Sequence, residues 1–425
     1  MRKLLPLLLL SCTAGSSLKA MHLETIPAKE MSNEMVLKGI KELPQDVKRY
    51  IISLLLQTHL SYRFSLLKKL TIDYSIFSLV FSPNGKMFGV ASGADTLDLW
   101  NSHLGDLVRT LQGHTKGINT LAFSSDGEMI VTGSDDNTAC LWNSKTGEHI
   151  TTLKGHTGWV CFVAFSQTGE TILTGSHDVT ACAWNGKTGE LIKALPIDTS
   201  FSTTAAAFSP DGETILSVSE SAACLWSSKT GEVVRTFSGH SGPVNSVAFS
   251  PDGETILIRF KDNTVSLWTT KTGKVLTHFK ELEEGCDPVL FSPDTKTFLT
   301  ITAEKTPCVW SSTTGELVTR FKGHSEWITC AAFSCDGEIL LTGAADATVC
   351  IWSFPTGELL TTLEEHTGAI STLAISPNKE TIVTGAEDAT VCIWRAVPLL
   401  EDVTSEQKSA CFKQFMKYFP LLLPQ

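Results

Sequence analysis

The 425-residue chain has no apolar run approaching the ~18 residues that a membrane-crossing helix requires. It has no basic run either. Its 34 lysines and arginines stand against 45 carboxylates, for a formal net charge of −11. That balance lacks the positive footprint of a nucleic-acid binder. No Cys-x-x-Cys and no glycine-rich phosphate loop occurs. His22, His59, His103, His149, His177 and His278 lie at no metal-ligand spacing. No paired carboxylates stand apart from surface turns, so no cofactor and no metal are expected.

What the chain does have is a period. Trp100, Trp142, Trp184, Trp226, Trp268, Trp310, Trp352 and Trp394 follow one another at intervals of 42 residues, and they are eight of its 10 tryptophans. The same text recurs around each. Upstream lies a Val-Ala-Phe-Ser-Pro-Asp-Gly-like stretch, as at 247–253, and downstream a Lys-Thr-Gly-Glu, as at 145–148 and 187–190. Self-similarity at this period marks a repeat architecture, which overrides the two to four domains that length alone would suggest.

Each unit reads as four short strands separated by turn residues. In the unit of Trp352 these are 317–321, 328–333, 339–342 and 348–352, with Asp336-Gly337 and Thr356-Gly357 supplying the turns. A four-stranded sheet alone leaves two apolar faces and two edges open. Packing such sheets radially covers the faces and leaves only short edges. The expected fold is all-β: an eight-bladed propeller of four-stranded antiparallel blades with short helical flanks at both ends. The alternative is seven blades, with the Trp100 unit outside the ring.

Spacing and text resemble the WD40 (WD-repeat) family over residues 64–398. Family repeats carry a Gly-His, a Ser or Thr, an Asp and a Trp that hydrogen-bond across the blade. Four units match in full: His114, Thr132, Asp136, Trp142; His156, Thr174, Asp178, Trp184; His324, Thr342, Asp346, Trp352; and His366, Thr384, Asp388, Trp394. The Trp268 unit keeps His240 and Asp262 but has Ile258 for the hydroxyl. The units of Trp100, Trp226 and Trp310 lack the His and the Asp, and the family's Asp after the Trp is replaced throughout. The resemblance implies a ring closed by a clasp, in which residues 66–70 supply the outer strand of the last blade.

His, Thr and Asp are also the residue types of a hydrolase triad. A reaction centre occurs once, whereas this set occurs four times, so its expected role is to satisfy buried polar groups. The chain is not expected to be an enzyme. The strands nearest the channel carry small apolar residues, Ala122, Ala164, Ala248, Ala332 and Ala374. Six of the 12 cysteines, Cys140, Cys182, Cys224, Cys308, Cys350 and Cys392, precede a lattice tryptophan by two residues. Equivalent strands of adjacent blades are too far apart for disulfides, so these act as small core residues.

Trp159 and Trp327 stand off the lattice, each three residues past a lattice histidine and 168 residues apart. That is four periods, which puts them on opposite sides of an eight-bladed ring. Together with Lys116, Glu326 and Asp73 in matching loops, they are the expected face for a protein or peptide partner. A packing role for both tryptophans on their own blades is the alternative. The propeller is expected to be monomeric.

The ends differ in character. Residues 1–20 resemble a signal peptide: Arg2 and Lys3, an apolar stretch at 4–10, then small polar residues up to Ala20. Cys12 also sits in a loose lipoprotein box. Cleavage would make the protein exported, whether periplasmic, secreted or lipid-anchored; otherwise it is cytoplasmic, which the many free thiols suit better. Within 21–63, Leu43, Pro44, Val47 and Ile51 begin a helical pattern that resembles the first half of an F-box. That resemblance implies a substrate-recognition subunit of a ubiquitin ligase, which with a cleaved leader would be exported by a bacterium to act in a host. A helix capping the propeller is the alternative. In the tail, 399–425, Phe412, Phe415, Met416 and Phe419 share one helical face.

Overall fold

The computed structural model describes residues 62–196, 206–218, 223–237, 244–260, 264–279, 289–301 and 306–398. The leader, the F-box-like Leu43, Pro44, Val47 and Ile51, the helical stripe of the tail, and His240 and Asp262 lie outside them. The compact unit considered is Phe64–Ala396.

Among the described residues, thirty-two strands form eight four-stranded antiparallel sheets. The innermost strands of blades 1 to 8 are Ile76–Phe81, Ile118–Phe123, Val160–Phe165, Ala206–Phe208, Val244–Phe249, Leu290–Phe291, Ile328–Phe333 and Ile370–Ile375. Seven blades consist of four consecutive strands. Blade 8 does not: its outermost strand is Tyr62–Thr71, paired to the long Thr390–Pro398. The first of the described strands therefore completes the last sheet, with eight blades in the ring. The innermost strands of blades 1 to 6 are neighbours in succession, as are those of blades 7 and 8, and those of blades 8 and 1 are in contact.

The pattern of burial explains why these residues form a radial stack. Middle strands are covered on both faces; Thr171–Ser176 and Ile339–Ala344 are buried at every position. Outer strands bury little, and Leu107–Gln112 hides only Leu111. Between blades 1 and 2, Leu99, Leu111, Leu121, Ile130, Cys140 and Trp142 form one cluster. Blades 6 and 7 meet through Leu299, Val309, Phe321, Leu340, Cys350 and Trp352. Of the lattice cysteines, Cys140, Cys182, Cys308, Cys350 and Cys392 are buried, and every described cysteine is a free thiol. Burial pushes the thiols of Cys140, Cys182 and Cys350 up to about 11 and that of Cys392 up to about 12. Ala122, Ala248 and Ala374 pack against these inter-blade clusters.

The innermost strands share a β-bulge at their second residue, seen in the register of blades 1, 2, 3, 5, 7 and 8. A bulge re-aims the extra residue away from the ladder. Here three of those side chains reach the next blade: Asn119 Nδ2 donates to Val160 O (3.2 Å), Thr329 Oγ1 to Ile370 O, and Ser371 Oγ to Ile76 O (2.7 Å). The last of these links blade 8 to blade 1 and reinforces the closure.

Candidate functional site

Antiparallel order puts two loop sets at the same end of every blade. One joins the outer strand to the next innermost strand; the other is the hairpin between second and third strands. All four histidine sets lie at this end. In blade 2, Trp142 Nε1 donates to Thr132 Oγ1 (2.9 Å), which lies 2.8 Å from His114 Nε2, while His114 Nδ1 lies 2.9 Å from Asp136 Oδ2. Blades 3 and 7 repeat the set, with Nδ1–carboxylate distances of 3.0 Å for His156–Asp178 and 3.1 Å for His324–Asp346. In blade 8, His366 is 2.8 Å from Thr384 Oγ1, which accepts from Trp394 at 3.0 Å, and 3.4 Å from Asp388.

The network assigns the tautomer. Tryptophan donates to threonine, the threonine hydroxyl donates to Nε2, and Nδ1–H donates to the carboxylate, so a neutral imidazole satisfies every group. Burial, outweighing the aspartate, holds His114, His156 and His366 below the usual histidine range. Burial alone would raise the aspartates. Hydrogen bonds from Thr138, the Thr115 N–H and His114 outweigh it and keep the Asp136 carboxyl low; Asp178 and Asp346 follow suit. The histidine side chains are almost wholly buried. His114, His156 and His324 each follow a glycine that is fixed by the ring beneath it, whereas His366 follows Glu365. A Cβ on Gly113 or Gly323 would stand 2.7 or 2.6 Å from the indole of Trp142 or Trp352.

The other blades show what the set does. Trp310 donates to Thr300 (2.8 Å) and Trp226 to Ser217 (2.7 Å) without any histidine. Ser217 falls one residue off the lattice because the following hairpin of blade 4 is one residue shorter, pairing Val218 with Ala223 where blade 2 pairs Gly133 with Ala139. The 42-residue register alone misses it. In blades 1 and 5 the hydroxyl position holds Val90 and Ile258, and Trp100 Nε1 and Trp268 Nε1 are buried without a partner.

The chain matches the family model of the WD domain, G-beta repeat, at residues 105–143, 147–185, 231–269, 315–353 and 357–395. The chain carries WD40 repeats. Each WD40 match runs from the turn before one blade's outer strand to the tryptophan strand of the next blade, so repeat and blade are offset by one strand. The three blades without a match are those of Trp100, Trp226 and Trp310, where the histidine and aspartate are missing. Among solved structures, the WD40 ring resembles the computationally designed Ika8 protein at 27% identity and a TM-score of 0.67, over 78% of this chain and 99% of that one. No curated protein matches the sequence.

At the tetrad end, Trp159 is 52% exposed and Trp327 41%. They enter the innermost strands of blades 3 and 7, four blades apart in a ring of eight. Each is held by its backbone: Trp159 O accepts from His177 N (2.9 Å) and Trp327 O from Ala345 N (2.7 Å). The indole of Trp159 also meets the His177 ring edge-on, centroids 5.7 Å apart. Lys116, Glu326 and Asp73 are exposed in the matching loops. Two aromatics that the period did not single out join them. Tyr74 is 51% exposed in the loop before blade 1, and Phe77 is 49% exposed at that blade's bulge. Among the described residues, no cluster of His, Cys, Asp and Glu has the arrangement of a metal site.

Proposed function

We propose that this WD40 propeller is a non-enzymatic scaffold that holds a protein or peptide partner on the face formed by the tetrad-end loops. The observation that carries the reading is the exposure of Trp159, Trp327, Tyr74 and Phe77 at one end of the ring. Elsewhere the large aromatics of the blades are mostly covered. Exposed aromatics with anchored backbones are the usual energetic centres of protein interfaces, since they bring area at little entropic cost. The four buried histidine sets support the reading from the other side. Their groups are used up in hydrogen bonds, which makes the rim rigid and leaves recognition to what projects from it.

The experiment is affinity capture of partners from the native organism by the full chain and by the Trp159→Ala, Trp327→Ala double variant. Loss of partners from a variant that keeps the wild-type melting temperature is expected. Retention of every partner would overturn the assignment of this face.

A further inference from the structure

The charges around those aromatics specify the partner more closely. Besides the four tetrad aspartates, the described loops of this face carry Asp73, Asp95, Asp135, Glu326, Glu365 and Glu387, against two loop lysines, Lys116 and Lys322, and Lys69 of the outer strand of blade 8, whose Nζ donates to Glu365 O (2.7 Å). The opposite face is built differently, because cations there stand beside the carboxylates. Lys145 pairs with Glu128, Lys229 with Glu213 (2.9 Å), and Lys379 with Asp336.

The acidity is concentrated where the aromatics are. Asp135 in blade 2 and Glu387 in blade 8 occupy equivalent hairpin positions on either side of blade 1. Their backbones donate to Gly117 O (3.0 Å) and Ala369 O (2.9 Å), respectively. Between them lie Asp73, Tyr74 and Phe77. The contacts are continuous. The Tyr74 side chain covers Gly93, and Gly93 abuts Gly117, so that a Cβ on either would meet the next at 3.0–3.3 Å. Asn119, the bulge residue of blade 2, donates to Asp135 Oδ1 (2.7 Å). Phe77 holds the same position in blade 1, and Ser371, its counterpart in blade 8, donates to Ile76 O immediately before Phe77. Where its neighbours present a polar staple, blade 1 presents an exposed aromatic ring.

We infer that this arc across blades 8, 1 and 2 is a binding site for a basic peptide segment. The site offers a cation what it requires: aromatic faces for cation–π contact and carboxylates for charge-assisted hydrogen bonds. A guanidinium suits it well, being planar and weakly hydrated. Carboxylates outnumber Lys69 and Lys116 along the arc, so an acidic segment would meet a net field of its own sign. The inference rests on the reading of this face as the partner face and adds the partner's chemistry and its place on the ring.

The test uses the full chain and two fluorescein-labelled peptides in a glycine–serine frame, one with three arginines and one with three glutamates, followed by fluorescence anisotropy. The arginine peptide should bind and the glutamate peptide should not. Affinity should fall steeply from about 0.05 to about 0.5 M salt. Phe77→Ala should weaken binding about two- to fivefold, the scale of one partly exposed cation–π contact. Glu387→Gln with Asp135→Asn should weaken it further while leaving the melting temperature in place, since both changes keep the hydrogen-bonding shape. Equal binding of the two peptides, or arginine-peptide binding indifferent to all these substitutions, overturns the inference. The two proposals fail separately. Partner capture that ignores Trp159 and Trp327 removes the face assignment, whereas capture that depends on them alongside charge-blind peptide binding removes only the basic-peptide site.

Discussion

Val90 and Thr132 hold the same place in neighbouring blades and differ by a methyl against a hydroxyl. In blade 2 that hydroxyl joins tryptophan to histidine; in blade 1 the indole N–H of Trp100 is buried with no partner. Burying an unsatisfied donor costs about 1–3 kcal/mol, whereas the net gain of an added hydrogen bond is about 1 kcal/mol. Val90→Thr is therefore expected to raise stability by roughly 0.5–1.5 kcal/mol, the new hydroxyl accepting from Trp100. Thr132→Val should lower it by about 2–4 kcal/mol, since it strands both Trp142 Nε1 and His114 Nε2. Urea unfolding of both variants checks the pair, and a destabilised Val90→Thr would contradict the account. Thiols give a second check at this scale. With their ionisation pushed up to about 11 or 12, the buried Cys140, Cys182, Cys350 and Cys392 should resist a thiol reagent until the protein unfolds. Cys335 is exposed and should react at once, so Cys335→Ser should remove one fast-reacting equivalent from the native protein.

At the scale of the strand and its loops, the tryptophan lattice made most of the fold readable. It placed strands such as Ile328–Phe333 directly, because each blade must cover the same faces with the same alternation, while the clasp was what the family resemblance implied. The candidate site was less legible, and for a physical reason. A period marks what repeats, and recognition resides in what does not. Trp159 and Trp327 were visible as repeat positions filled by an unusual residue. Tyr74 and Phe77 were not, because blade 1 has lost the histidine and aspartate that would have framed them, and because a bulge, invisible in the sequence, sets the exposure of Phe77. Ser217 escaped for the opposite reason, since a one-residue shortening of its hairpin moved a role that recurs from blade to blade off the lattice.

The histidine sets also define a pH dependence. Burial lowers His114, His156 and His366 in the folded state, so folding favours the neutral ring. Their contribution is complete above the unfolded value of about 6.5 and is lost as pH falls through it towards the lower folded value. The aspartates, also lowered, hold their contribution down to about pH 4 and lose it below. The melting temperature should be flat above about pH 7, decline from about pH 6.5, and drop again under pH 4. His156→Gln should lower it at neutral pH and make the decline between pH 6.5 and 5 shallower. Parallel curves for variant and wild type would remove the histidines as its cause.

For the whole ring, closure depends on one strand donated from the other end of the chain. Tyr62–Thr71 covers Thr390–Pro398 within blade 8, and Ser371 ties the innermost strand of that blade to that of blade 1. Removing residues before 72 should leave blade 8 with three strands and an open edge. A large loss of melting temperature and association on size-exclusion chromatography are the expected results. A circular permutant that moves 62–71 to follow 398 should restore both, since the ring needs the strand and not its position in the sequence. A truncated chain as stable as the parent would show that three strands suffice.

The same clasp sets a timetable for synthesis. Tyr62–Thr71 leaves the ribosome first among the blade strands, and its partner begins at Thr390, about 320 residues later. At about 5–20 residues per second, that strand waits for roughly 15–60 s with its pairing groups unmet. Blades 1 to 7 can each complete themselves in turn, but each nascent propeller spends that interval as an arc with two open ends. During that interval a second nascent chain, or a chaperone, competes with the far end of the molecule for the same edge.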